Sequence, residues 1–207
     1  MTDLSLSKNR PRTHVEQMTP YEASTAQSGR IRILVEGRCP LLTHNPASMY
    51  ATAETKKGGN IPKPEDEAEA GTYRTEDGTC AVTGEGFRAS LLAASSAFKI
   101  PKKRYSARSV LEHITVVEDL VPLMRYDGTP IRDYAIDARR AIIQGNGIIR
   151  HRPRFDEWRC TFTIEYDPLL WPNVKVLIDI LADAGQRKGV GDYRPRFGRF
   201  GVIGYWE

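Results

Sequence analysis

The chain has 207 residues, with 30 Lys and Arg against 26 Asp and Glu, a formal net charge of +4 and a sequence pI near 9.0. A hydrophobic share of 40% and a charged share of 27% are ordinary for a globular chain, and the length accommodates one domain with a core, with or without additions. No apolar run approaches the ~20 residues of a membrane-crossing helix, and the polar start Met1-Thr2-Asp3-Leu4-Ser5-Leu6-Ser7 lacks a signal-peptide apolar region; a cytoplasmic location with no membrane partner is the expectation. The three cysteines, Cys39, Cys80 and Cys160, are widely spaced and odd in number, so they suggest neither a disulfide framework nor a zinc pair. They read as small, half-buried apolar residues in a reducing compartment. The mild positive charge favours an anionic partner, weakly by itself.

Residues 1–28 are polar and turn-forming with almost no periodic hydrophobics, and read as a flexible arm. The remainder, 29–207, reads as a single domain. Arg30 to Glu36 alternates, with Ile31, Ile33 and Val35 on one face, and stops at Gly37, which predicts a strand. From Arg38 to about Thr83 the pattern is irregular, with Lys56-Lys57-Gly58-Gly59-Asn60, Pro62, Pro64 and the acidic run Glu65-Asp66-Glu67-Ala68-Glu69. A flap with one helical turn near Pro64 to Ala70 is expected there, and a loop this long is more often functional or mobile than idle.

From Gly86 the spacing turns helical, with Phe87, Leu91, Ala94 and Phe98 at i, i+4, i+7 and i+11. That helix runs into a basic cluster, Lys99, Lys102, Lys103, Arg104 and Arg108, which contains no acid. Such a cluster is usually a solvated connection; its other reading is contact with nucleic acid. Val110 to Val117 reads as a strand, and Ile131 to Ile143 as one or two more. A Gly145-Asn146-Gly147 turn then leads into Ile148-Ile149-Arg150-His151-Arg152-Pro153-Arg154-Phe155. The clearest strand follows, with Trp158, Cys160, Phe162, Ile164 and Tyr166 on one side. A second helix presents Val174, Leu177, Ile178 and Leu181, with Gly185 placed as its C-terminal cap. Phe200 to Trp206 is the last strand.

Without its insertions the chain runs strand, helix, strand, strand, helix, strand. That is the order of an α+β, ferredoxin-like fold, shared with RNA-recognition (RRM-like) modules, here with a long insertion after the first strand. The order alone does not specify a function.

The segment from Gly185 to Val202 concentrates glycines, basic side chains and aromatic rings. Between Arg187 and Arg199 there are five cations (Arg187, Lys188, Arg194, Arg196, Arg199) and one acid, Asp192. Glycines such as Gly189 and Gly191 let a backbone approach phosphates, arginines offer a fork of donors to phosphate oxygens, and Tyr193 offers a face for a base. Phe155, Phe197 and Phe200 are further stacking candidates, of which most are expected in the core. A second arginine block, Arg150, Arg152 and Arg154, precedes the clearest strand; the plainer alternative pairs these arginines with Asp156, Glu157 and Asp192 around a proline-containing turn. Candidate groups for metal-assisted cleavage are His44, Glu65, Asp66, Glu67 and Asp192. No Walker loop, dinucleotide fingerprint, nucleophile elbow or zinc spacing occurs, and no cofactor is expected.

The glycine-rich element, Gly189-Val190-Gly191 through Phe197-Gly198-Arg199-Phe200-Gly201-Val202, resembles the C-terminal glycine-rich loop of the repeat-associated RNA-binding proteins of CRISPR systems, most of all their Cas7-type backbone subunits. Val35 to Pro46 is similar to the end of their first strand. With Arg150 to Phe155 and Gly191 to Pro195, these blocks also look like those of small proteins of bacteriophages and mobile elements. The resemblance touches roughly half the chain and implies a modified RRM-like domain that holds single-stranded RNA or DNA and lines up as a homo-oligomer or filament. The chain departs from the family in its shortness, since Glu118 to Tyr134 leaves little room for a large inserted thumb. RNA-cleaving relatives carry an aspartate in the loop after the first strand, and none lies between Arg38 and Pro46. The expected function is therefore non-catalytic strand binding, through Lys102, Lys103, Arg104, Arg150, Arg152, Arg154, Arg187, Lys188, Gly189, Gly191, Tyr193, Arg194, Arg196 and Arg199. The alternatives are a structural or regulatory subunit of a multi-protein complex and a metal-dependent ribonuclease.

Overall fold

The computed structural model describes residues 28–48, 63–98, 106–143, 146–171 and 173–207. The expected arm, all but Ser28, and the basic residues Lys99, Lys102, Lys103 and Arg104 lie outside them.

The centre of the protein is a four-stranded antiparallel sheet of β1 (Gly29–Gly37), β5 (Thr115–Val116), β9 (Arg159–Tyr166) and β10 (Phe200–Trp206) in the order β10-β1-β9-β5. Counting only these four, the order is last, first, third, second, which is the arrangement of a ferredoxin-like sheet. Alternation decides which face is buried: Ile31, Ile33 and Val35 of β1 and Cys160, Phe162 and Ile164 of β9 are fully buried on one side. The other side carries Arg30, Arg32 and Glu36 of β1 and Arg159, Thr161, Thr163 and Glu165 of β9.

Two helices cover the buried face. One, α2 (Gly84–Ala94), follows α1 (Pro64–Ala70) in the chain and starts where Thr83 Oγ1 accepts the Gly86 amide at 3.2 Å. Its Phe87 stacks on Phe162, with centroids 4.3 Å apart, and meets Phe200 edge-on at 5.4 Å. The other, α4 (Val174–Arg187), begins at Asn173, whose Oδ1 accepts the Lys175 amide, and buries Leu177, Ile178, Ile180 and Leu181. Gly185 lies inside α4 rather than at its end. A Cβ there would stand 2.4 Å from the Phe200 carbonyl oxygen, so the glycine lets helix and last strand approach closely, and Gly189, at φ +70°, takes the left-handed position after the helix.

The segment after β1 is more ordered than its sequence suggests. It contains β2 (Leu41–Leu42), α1, β3 (Tyr73–Arg74) and β4 (Cys80–Thr83), while residues 49–62 lie outside the described part. The stretch expected as one strand from Val110 to Val117 is instead α3 (Ala107–Leu111) followed by the two-residue β5. Ser106 explains the difference: its Oγ accepts the Ser109 amide at 3.2 Å, an N-cap that starts a helical turn before the β-branched residues can extend. Between β5 and β9 come β6 (Leu120–Pro122), β7 (Ala135–Ile143) and β8 (Asn146–Phe155). β7 and β8 pair over nine positions as a hairpin, β8 also pairs β2, and β3, β4 and β6 form a third sheet.

Candidate nucleic-acid interface

The glycine-rich loop between α4 and β10 is folded back on itself and fastened to the chain just after β1. Val190 donates its amide to the Gly198 carbonyl at 2.8 Å, Gly198 to Pro40 at 2.9 Å, Asp192 to Leu42 at 2.8 Å, and Arg38 to Arg199 at 2.7 Å. Gly198 has φ +71°, and a Cβ on it would lie 1.7 Å from the Val190 carbonyl oxygen, so no other residue fits without moving the loop. A Cβ on Gly191, at φ +82°, would lie 2.4 Å from the Leu42 carbonyl oxygen. Tyr193 is the one non-glycine residue with positive φ among the described residues, at +53°. Its amide is held by Asp192 Oδ1 at 2.8 Å and its ring lies under the Arg152 guanidinium, 4.7 Å from the centroid.

Two kinds of cation surround this loop. The arginines of β7 and β8 are largely consumed internally. Arg150 Nε lies 3.0 Å from Glu67 Oε1, Arg152 Nε donates to Asp192 Oδ2 at 2.5 Å, Arg154 pairs with Asp156 at 2.6 Å, and Arg139 pairs with Asp137 at 2.5 Å while lying over the Phe197 ring. Arg150 and Arg152 are only 9% and 8% exposed. These pairs join the hairpin to α1 and to the loop, and the carboxylate-paired alternative of the sequence reading is met by Arg152 with Asp192 and Arg154 with Asp156. Arg187 is likewise paired, with Asp183 one turn back in α4.

The second kind is open. Lys188, Arg194, Arg196 and Arg199 have no carboxylate partner among the described residues, and the last three are exposed. Lys188, Arg194, Gly191, Tyr193 and Pro195 line a cleft of about 550 Å³ together with Ala93 of α2 and with Arg187 and Asp192, whose charges are paired to Asp183 and Arg152. Arg38, which the sequence did not single out, is also exposed and lies over Gly201. The signal for it was present, since Arg30, Arg32, Glu36 and Arg38 continue one i, i+2 series along and past β1.

Of the aromatic candidates, Phe155, Phe197 and Phe200 are buried at 3%, 6% and 1% exposure. Tyr193 alone reaches the surface, half-buried, with Arg152 on one face. The exposed face of the two central strands carries no aromatic ring, so the stacking platform found on many RRM sheets is not built there.

The residues weighed for metal-assisted cleavage are also placed. Glu67, on α1, is 6% exposed and accepts from the His151 amide at 3.1 Å and pairs with His151 Nδ1 at 2.8 Å, besides Arg150. Asp192 is engaged by Arg152 and the Tyr193 amide. Burial first, then the field of Arg152, pushes the His44 imidazole below its ordinary 6.5. Among the described residues, no three His, Cys, Asp or Glu side chains converge where a metal ion would sit.

These features define an α+β protein with a ferredoxin-like central sheet and a fastened, basic glycine-rich loop before the last strand. No protein-family model and no curated protein matches the chain. Among solved structures it is similar to a chain in the cryo-EM structure of the type III-B Cmr-beta bound to cognate target RNA, with TM-score 0.50 and 8% identity over 86% of this chain. The match spans 60% of that longer chain. At this identity the likeness concerns the fold.

Proposed function

We propose that the protein is a non-catalytic, Cas7-like single-strand-binding protein that holds RNA along the glycine-rich loop. The observation that carries this reading is the contrast between two sets of cations. Around a loop locked by backbone hydrogen bonds, Lys188, Arg194, Arg196 and Arg199 stay without a carboxylate while neighbouring arginines are neutralised. A rigid loop with uncompensated charge is preorganised for an anion, since little ordering cost remains to be met on binding. The cleft beside Tyr193 admits a base next to phosphates held by Lys188 and Arg194. The likeness to a chain in a structure bound to target RNA supports RNA over DNA as the first ligand to test.

The test is fluorescence anisotropy with a labelled polyuridylate oligonucleotide over a salt series. The wild-type protein is expected to bind with affinity that falls steeply as salt rises. The Arg194→Ala, Arg196→Ala double variant is expected to lose about tenfold or more at low salt and to lower the slope of log K against log salt by about 0.7 for each phosphate contact removed. Absence of salt-dependent binding by the wild-type protein to single-stranded RNA and DNA would end this reading.

A further inference from the structure

We infer that the cleft between α4 and the outer edge of β10 is a second phosphate-binding subsite, with Arg38 and Arg199 as its paired donors and the backbone of the same single strand as its ligand. The inference rests on the strand-binding reading above and extends it to a surface that lies across the loop from the Lys188–Arg194 cleft.

The cleft has a volume of about 510 Å³ and is lined by Arg38, Gln186, Arg199, Gly201 and their apolar neighbours, with no carboxylate in the lining. Arg38 donates its amide to the Arg199 carbonyl at 2.7 Å, so the two side chains leave from hydrogen-bonded neighbouring positions. Two like charges placed together in a concavity repel unless an anion joins them. Elsewhere this chain pairs its arginines readily: Arg30 with Glu165, Arg74 with Glu69, Arg125 with Asp133, Arg132 with Asp77 and Arg159 with Glu36. Arg32, Arg38, Arg140, Arg194, Arg196 and Arg199 are the described arginines without a carboxylate partner, and Arg38 and Arg199 are the two of them that line this cleft together.

Gly201 gives the arrangement its shape. A Cβ there would lie 2.7 Å from Arg38 Nε, so the absence of a side chain is what lets the guanidinium lie across the last strand. Arg38 and Arg199 each present a planar fork suited to the oxygens of one phosphodiester, and the Gln186 amide adds a neutral donor on the opposite wall. Continuity selects nucleic acid over an acidic peptide. Arg199 closes the same glycine-rich loop that carries Arg194 and Arg196, so a single strand held on that loop would have its next phosphates within the reach of this cleft.

Cys39 supplies a readout independent of affinity. Its thiol accepts the Arg199 amide at 3.3 Å and is partly exposed, while Cys80 and Cys160 are buried. Polyuridylate binding is measured for wild type, Arg38→Ala, Arg38→Lys and Arg194→Ala, with circular dichroism to verify folding. Cys39 modification by a thiol reagent is followed in parallel with and without the oligonucleotide. Arg38→Ala is expected to weaken binding about five- to thirtyfold, to lower the salt slope by about 0.7, and to abolish protection of Cys39. Arg38→Lys should keep the slope with intermediate affinity. If Arg194→Ala weakens binding while Arg38→Ala leaves affinity, slope and protection unchanged, the subsite is overturned and the strand-binding reading stands. If the wild-type protein does not bind, both fall. Protection of Cys39 by polyglutamate as effective as by polyuridylate overturns the nucleic-acid assignment in favour of a peptide, and equal protection by tripolyphosphate alone reduces the site to a free-phosphate pocket.

Discussion

At the scale of single residues, the loop depends on positions that tolerate no side chain and on cations sorted by their partners. Gly198 combines left-handed backbone with contact against the Val190 carbonyl. Gly198→Ala therefore sets a strained φ and a steric clash together, and is expected to lower unfolding free energy by about 1–3 kcal/mol or more, measured by urea denaturation. The same substitution should weaken oligonucleotide binding even under conditions where the variant is folded, because Arg199 follows directly and takes its position from the turn. The loop's glycines, Tyr193 and the open arginines could all be named from the sequence, since their types and clustering are local facts. What each arginine pairs with could not. Arg152 finds Asp192 forty positions away, and Arg150 finds a glutamate in a segment read as a flap. Charge in a sequence therefore indicates a basic region without distinguishing a cation that binds a ligand from one that holds the fold.

Among the elements, α1 has the role that its sequence disguises. Its acidic run could read as a solvated face, yet Glu67 is buried and joins the helix to Arg150 and His151 of β8, while Glu69 binds Arg74 at 2.7 Å and the Tyr134 hydroxyl at 2.7 Å. The Arg74 hydrogen bond holds the Glu69 carboxyl below its usual range. Removing one partner of a buried pair leaves the other charge uncompensated, so Glu67→Gln should cost about 3 kcal/mol in a denaturation measurement. A loss of a few tenths would show that the clasp is dispensable. The elements that were legible, β1, α2, β9, α4 and β10, are long enough for a period of 2 or 3.6 to repeat. Those that were missed, β2, β3, β4 and β6, have two to four residues each, and β5 keeps only two residues of the strand expected from Val110 to Val117. A strand that short has no period to read and exists because a neighbour pairs with it.

For the whole molecule, the sheet order and the placement of both helices on one face follow from four strands and two helices whose patterns agree. The hairpin of β7 and β8 is added between the second and third of those strands and is secured by α1 and the loop. One titrating group couples this junction to pH. His44 is influenced by Arg152, Asp192, Arg150 and Glu67, and its pKa is lowered, chiefly by burial. The unfolded chain therefore binds a proton more readily than the folded one, so the histidine's contribution is fully present above about 6.5 and declines as pH falls below it. Urea denaturation between pH 8 and about 5 should show wild type losing more stability on acidification than His44→Gln; equal losses would remove His44 as the cause.

The central strand β1 is made near the start of the chain, and its two neighbours, β9 and β10, are made near the end. Ile31, Ile33 and Val35 therefore precede in the chain the helices that cover them, and one edge of β1 has its partner only once β9 is made and the other only once β10 is made. Contacts of such long sequence separation form late. A folding intermediate in which β1 is still unpaired would expose apolar surface and open strand edges, so the yield of refolding is expected to fall as protein concentration rises.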